Sequence, residues 1–277
     1  MPSPTINDVA SFWENNPLFT GESKYAQGSR EFFKDHRNTY LTDYFADAFP
    51  HKLIVPSIPR DSKVLDLGCG IGFWTVELML RGGFNVFFAA DLTRNAVNLT
   101  KKRLELYGLK AELSVQNAEN MTFKNENFDH VNCQGVIHHT PDTDRAISEI
   151  ARVLKKGGTA HISVYYKNFM VRHWDKLSFI GQKFHRLIGL KGRGRERMLL
   201  NSSTEELVRS YDGENNPVGK CYSRDEILKA VKPYFTVENT FLCYFPNRAL
   251  PFSIPGSIHR LLSRNMGFLI HMNLRKK

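Results

Sequence analysis

Nowhere in the 277 residues does a run of about eighteen consecutive apolar residues occur, which excludes a helix apolar enough to cross a bilayer. The opening segment MPSPTINDVASF has no basic cluster followed by an apolar stretch, so no secretory leader is expected, and the reading is a soluble, cytoplasmic protein. Cysteine is scarce. Cys69, Cys133, Cys221 and Cys243 lie far apart and form no C-x-x-C pair, which argues against a disulfide framework and a cysteine-bound metal. No internal repeat or low-complexity tract is present. With 42% apolar residues, the chain can bury one good core plus appendages.

Acids are missing from one region in particular. Residues 246 to 277 contain 6 Lys and Arg and no Asp or Glu, and residues 167 to 222 contain 11 basic residues against 6 acids. The remainder carries 21 against 22, so the formal net charge of +10 resides in those two segments. This distribution fits an anionic partner, and it fits plain solubility as well.

The most informative stretch that is present is Val64 to Trp74, VLDLGCGIGFW, an aliphatic strand running into a glycine turn and a helix. Glycines at 68, 70 and 72 let the backbone take positive φ and come close to a ligand, and the helix beginning near Phe73 aims free N–H groups into the same space. A dinucleotide fingerprint would read G-x-G-x-x-G. Here the third glycine comes one residue early and Phe73 stands in its place, which disfavours NAD.

Strands and helices alternate from residue 63 onward: strand 63–67, helix 74–81 with Val76, Leu78, Met79 and Leu80 as its apolar stripe, and strand 85–90 ending at Asp91. Thr93 caps a helix that Gly108 stops; strand 111–115, strand 128–134, a helix 142–154 capped by Asp142, and strand 159–165 after Gly157-Gly158 come next. This order requires an α/β fold, a parallel sheet with helices on both faces. The rhythm breaks over 167–222, which contains GLKGRGR (189–195) and YDGENNP (211–217). It resumes with a helix over 225–231 and a sixth strand over 235–244. Residues 268–275, FLIHMNLR, alternate with period two and predict a final strand.

The glycine turn and the strands and loops after it resemble class I S-adenosylmethionine (SAM) dependent methyltransferases, of the small-molecule branch, over roughly residues 60–166. The resemblance implies a Rossmann-like, seven-stranded, mostly parallel sheet whose last strand is antiparallel and lies beside strand five. It implies SAM as cofactor and S-adenosylhomocysteine as product. Asp66, Gly68, Cys69, Gly70 and Gly72 would hold the amino-acid end, and Asp91 with Leu92 the ribose; the alternative for Asp91 is a helix cap. Asn117-Ala118-Glu119 stands where the family has Asp-Ala-Glu beside the adenine. Gln134 and Gly135, opening the loop QGVIHHTPD, would contribute backbone groups near the transferring methyl. His138 and His139 are candidates for a catalytic base, with a structural role as the alternative. The expected division is an N-terminal helical cap (1–59), a SAM-binding core (60–166), a basic lid (167–222), and the rest of the sheet (223–277) with a basic insertion (246–266).

An already activated methyl needs mainly alignment and exclusion of water, so no metal is called for. No D-P-P-Y or N-P-P-F follows strand four and there is no Pro-Cys pair, which argues against methylation of adenine or glutamine nitrogens and against a cysteine adduct on cytosine. The leading expectation is methyl transfer to a small or medium-sized anionic metabolite. Lys191, Arg193, Arg195 and Arg197 are candidates for its anionic group, and Tyr165, Tyr166, Tyr211 and Tyr222 for the acceptor side. In an open parallel sheet the connections leaving strands five and six start at the ligand edge, so both basic segments should overhang the site. Alternatives are an RNA-modifying methyltransferase, a SAM-fold enzyme with other chemistry, and attachment of 251–264 to an anionic membrane.

Overall fold

The computed structural model describes residues 3–187 and 190–277; Gly189, the first residue of GLKGRGR, lies outside them. The aliphatic runs form a single sheet: β1 Lys63–Leu67, β2 Val86–Asp91, β3 Glu112–Val115, β4 Phe128–Gln134, β5 Leu154–Tyr166, β6 Cys221–Tyr222, β7 Phe235–Cys243 and β8 Leu269–Lys276. Strand order is β3-β2-β1-β4-β5-β8-β7, with the two-residue β6 pairing beside the end of β5. All neighbours are parallel except β8, which is antiparallel to both β5 and β7. This is the Rossmann-like arrangement expected, with β6 added. β5 starts at Leu154, ahead of the glycine pair expected to precede it, and a register shift between Phe128 and His130 accommodates the extra length.

The caps follow side-chain chemistry. Thr93 accepts the Ala96 N–H at 3.3 Å, Asp142 accepts Arg145 N–H at 2.9 Å, and Ser223 with Glu226 forms a capping box before the helix Arg224–Val231. Helices bury both sheet faces, one core gathering Val64, Val76, Leu78 and Trp74, the other Leu65, Ile147, Ile150 and Ile162. Leu80 is not part of that stripe; it is half exposed. The polar side of β8 is covered too. His271 meets the Tyr44 hydroxyl at 3.2 Å and His161 at 2.8 Å, and Asn273 donates to the Leu53 carbonyl at 2.9 Å, so residues 44–53 are packed over the sheet by hydrogen bonds as well as apolar area.

Segment 167–222 is more helical than its turn-rich composition suggests, with helices Phe169–Arg172, Trp174–Phe184 and Thr204–Ser210. The N-terminal part contributes helices Ile6–Asn15 and Arg30–Thr39. A single π turn comes next at Tyr40–Tyr44, a geometry that re-aims side chains and recurs at functional sites. No helix among the described residues is long and apolar enough to cross a membrane.

Candidate active site

A cavity of about 240 Å³ opens at the carboxyl ends of β1, β2, β4 and β5. At one end its wall is main chain. Gly68 and Gly70 have φ of 75° and 54°; a Cβ on Gly68 would lie 2.2 Å from Val136 Cγ2, while nothing stands within 4 Å of the corresponding position on Gly70. The Gly68 and Cys69 N–H groups both bond the Ala90 carbonyl, which ties the turn to the end of β2. Asp91, the last residue of β2, accepts the Gly70 N–H on one oxygen (2.9 Å) and the Thr93 N–H and hydroxyl on the other (3.0 and 3.1 Å). Burial raises its pKa and these donors oppose the shift. Thr93, not Asp91, is the helix cap, so the Asp91 carboxylate is left to the cavity, with a spare lone pair on Oδ2, the oxygen that accepts only from Gly70.

Asp66 is placed otherwise than expected. It lies beneath the turn, off the cavity wall, accepting the Thr75 hydroxyl (2.6 Å) and the Asn132 amide (2.7 Å), with burial pushing its pKa up to about 6. Asn132 in turn accepts the Gln134 amide N–H at 2.7 Å. This chain fixes the rotamer of Gln134, whose Oε1 is buried without a hydrogen-bond partner on the cavity wall. An unpartnered buried acceptor calls for a donor from a ligand, and an ammonium supplies it. Leu92, Asn117, Ala118 and Gly135 also line the cavity; Asn117 Oδ1 accepts the Glu119 N–H at 2.9 Å. Glu119 itself turns away to accept the Asp142 N–H, and Gly72 begins the helix behind the turn. An open glycine turn, a strand-end carboxylate with acceptor capacity left and an orphan carbonyl fit the ribose and amino-acid ends of SAM.

At the other end the wall is side chains from distant segments. Tyr165, at the end of β5, donates to Asp212, and His139 Nε2 lies 3.2 Å from the same carboxylate. His139 Nδ1 is 2.8 Å from the Val218 carbonyl, which can only accept. Both ring nitrogens therefore face acceptor oxygens. Although burial acts to raise the Asp212 carboxyl, His139, Arg193 and Tyr165 hold it well below the usual range. His139 has no free nitrogen with which to act as a base. His138 is fully buried off the cavity wall, with neither ring nitrogen hydrogen-bonded, and burial keeps it neutral. Trp13 covers His139 edge-on, the rings 5.2 Å apart.

Glu22 is the meeting point of three arginines, with Arg193 Nη2 at 3.2 Å, Arg195 Nη2 at 2.8 Å and Arg248 Nη1 at 2.8 Å; Arg248 also pairs with Asp43 at 3.0 Å. All five residues line the cavity, so each basic segment does send side chains to it. Tyr211 is there too, its hydroxyl bonded to that of Tyr244. Tyr222 is not; its hydroxyl donates to Thr143. Tyr166 faces a second cavity beside Arg224 and Arg260. Arg197 is exposed and pairs with Glu214. Sequence reasoning missed Glu22, Asp43, Asp212 and Arg248. Only Arg248 carried a signal, its place in the acid-free segment.

A family model described as "Methyltransferase domain" matches residues 64–158. Among curated proteins, a ubiquinone biosynthesis O-methyltransferase of Coxiella burnetii is 29% identical over 110 residues, 40% of this chain and 46% of that protein. A demethylmenaquinone methyltransferase of Bacillus licheniformis is 30% identical over 103 residues, 37% and 44%. The chain thus spans about half the length of the curated relatives it matches. The solved structure of a SAM-dependent methyltransferase from Methanosarcina mazei superposes with a TM-score of 0.55 at 19% identity, covering 79% of this chain and 94% of that one. With the glycine turn, the strand-end Asp91 and the β3-β2-β1-β4-β5-β8-β7 sheet already in place, residues 64–158 form a methyltransferase domain of the class I SAM-dependent kind.

Proposed function

We propose that the protein transfers the methyl group of SAM to a small or medium-sized acceptor carrying an anionic group, in the cytoplasm. The observation that carries this reading is the continuity of the cavity from the glycine turn to a walled chamber closed by residues 6–44, 193–212 and 244–248. The bound cofactor supplies an electrophilic sulfonium methyl. The chain supplies the rest: Asp91 for the ribose hydroxyls, Asn117 and Ala118 for the adenine, Gln134 Oε1 for the ammonium, and a chamber that excludes water and aligns the acceptor. Segments 1–59, 167–222 and 246–266 act as its cap, lid and flank. Both curated relatives are named for small-molecule methylation, in line with an enclosed acceptor. Against RNA as the acceptor, Arg193, Arg195 and Arg248 converge on Glu22 inside the cavity instead of forming an open phosphate track.

Calorimetric titration with SAM and S-adenosylhomocysteine tests the reading. Wild type is expected to bind both, and Asp91→Ala to weaken each about tenfold or more through loss of a charge-assisted hydrogen bond. A folded wild type that binds neither would end the proposal.

A further inference from the structure

Gly192, Arg193 and Gly194 all have left-handed backbone, with φ of 83°, 57° and 80°. Glycine takes that conformation freely and arginine does not. The loop is wedged in place: a Cβ on Gly192 would lie 2.6 Å from the Thr20 carbonyl oxygen, one on Gly194 would lie 2.8 Å from Glu214 Cβ, and the Arg193 carbonyl accepts the Glu214 N–H at 2.9 Å. A non-glycine residue held so by its surroundings is a mark of a working position. The consequence is that the Arg193 side chain, only 2% exposed, enters the cavity wall. One of its nitrogens reaches Glu22, while Nε and Nη1 are buried without a hydrogen-bond partner.

Buried charge persists when its donors are paired. The two orphan donors of Arg193 on the cavity wall mark the place of a bound anion.

We propose that Arg193 is the anchor for a single carboxylate of a bound ligand. The inference rests on the methyltransferase reading, which offers two sources for that group, the acceptor and the methionyl end of the cofactor. Charge-assisted bonds to buried guanidinium donors hold such a group strongly.

The test compares wild type, Arg193→Met and Arg193→Lys by calorimetry, with melting temperature as the check on folding. The ligands are S-adenosylhomocysteine, 5′-methylthioadenosine (which lacks the amino-acid end), benzoate, and benzamide as the uncharged control. The last two are titrated with and without S-adenosylhomocysteine, so this arm reads independently of the cofactor assignment. The expected result is that wild type prefers benzoate to benzamide and Arg193→Met loses benzoate at least about tenfold, with S-adenosylhomocysteine unchanged; the carboxylate is then the acceptor's. A tenfold loss of S-adenosylhomocysteine with 5′-methylthioadenosine unchanged assigns it to the cofactor and also supports the anchor. Arg193→Lys, which keeps the charge but not the guanidinium geometry, is expected to fall between, and it carries the test should the methionine variant not fold. If substitution shifts only the melting temperature and every affinity stays within about twofold, Arg193 is a strut and the proposal is overturned. A folded wild type binding neither adenosine ligand defeats the methyltransferase reading alone, and the benzoate arm then decides on Arg193.

Discussion

At the glycine-turn end of the cavity the lining groups are the backbone of the turn, one carboxylate fixed by two main-chain amides, and the Gln134 amide. At the far end they are side chains on segments that meet only in space. The first end is set by a strand, a turn and a helix contiguous in sequence, and its geometry is fixed once β1 and β2 pair. The second depends on Glu22, Arg193, Arg195 and Arg248 arriving together. On the proposed reading, cofactor chemistry common to many enzymes would sit on the rigid sheet, and acceptor selection on appended segments whose contacts are ionic.

Acid should separate the two ends most sharply. Burial pushes the pKa of His161 down to about 4 and that of His130 to about 3, from an ordinary value near 6.5. Below pH 6.5 the unfolded chain binds protons at these rings that the folded sheet does not. Their stabilisation is therefore complete above 6.5 and is lost as pH falls towards 4, by roughly 3 kcal/mol or more for each ring. Asp66, raised to about 6, opposes this between pH 6 and 4 but is a single group. Urea titrations at pH 7.5, 6 and 4.5 should show a steep fall in stability. A flat profile would mean that the histidines charge without breaking the sheet. The Asp212 carboxyl, held below the usual range, stays ionised across this interval.

Glu22→Gln strikes the acceptor end alone. Removing the shared partner of three arginines leaves buried cations facing one another, and the expected cost is about 3 kcal/mol of stability. Affinity for S-adenosylhomocysteine should change by less than about threefold. An equal loss of cofactor affinity would show that the two ends are not separable. The smallest effect is expected for Arg197→Ala, within about 0.5 kcal/mol in the same urea measurement, because its pair with Glu214 is in solvent.

The same contrast explains what could be read in advance. Strand runs, caps and the glycine turn are local patterns, and Asp91 follows from its position at a strand end, so the sheet and the make-up of the glycine-turn end were legible. Asp66 was legible as a residue but not in its direction, because alternation cannot say whether a strand-end carboxylate faces the ligand or lies under the turn. His138 and His139 are equivalent on paper. Being consecutive, they diverge, one into apolar packing and one onto Asp212. Arg193 and Arg195 were visible as charge between glycines, yet their buried partner Glu22 is about 170 positions away, and no local pattern announces it. Asp212 sat in a run of turn residues, where aspartate needs no further reason to be present.

The antiparallel strand β8 has a consequence for how the molecule comes to exist. Thr159 pairs with Arg275 and Tyr165 with Leu269, so the interior edge of β5 stays open until chain far downstream arrives to close it. Until then β1 to β5 form a sheet with an unpaired, aliphatic edge, which other chains can extend. Closure by such distant residues is slow by its topology. The yield of active protein from refolding should consequently fall with protein concentration more steeply than its final stability would suggest.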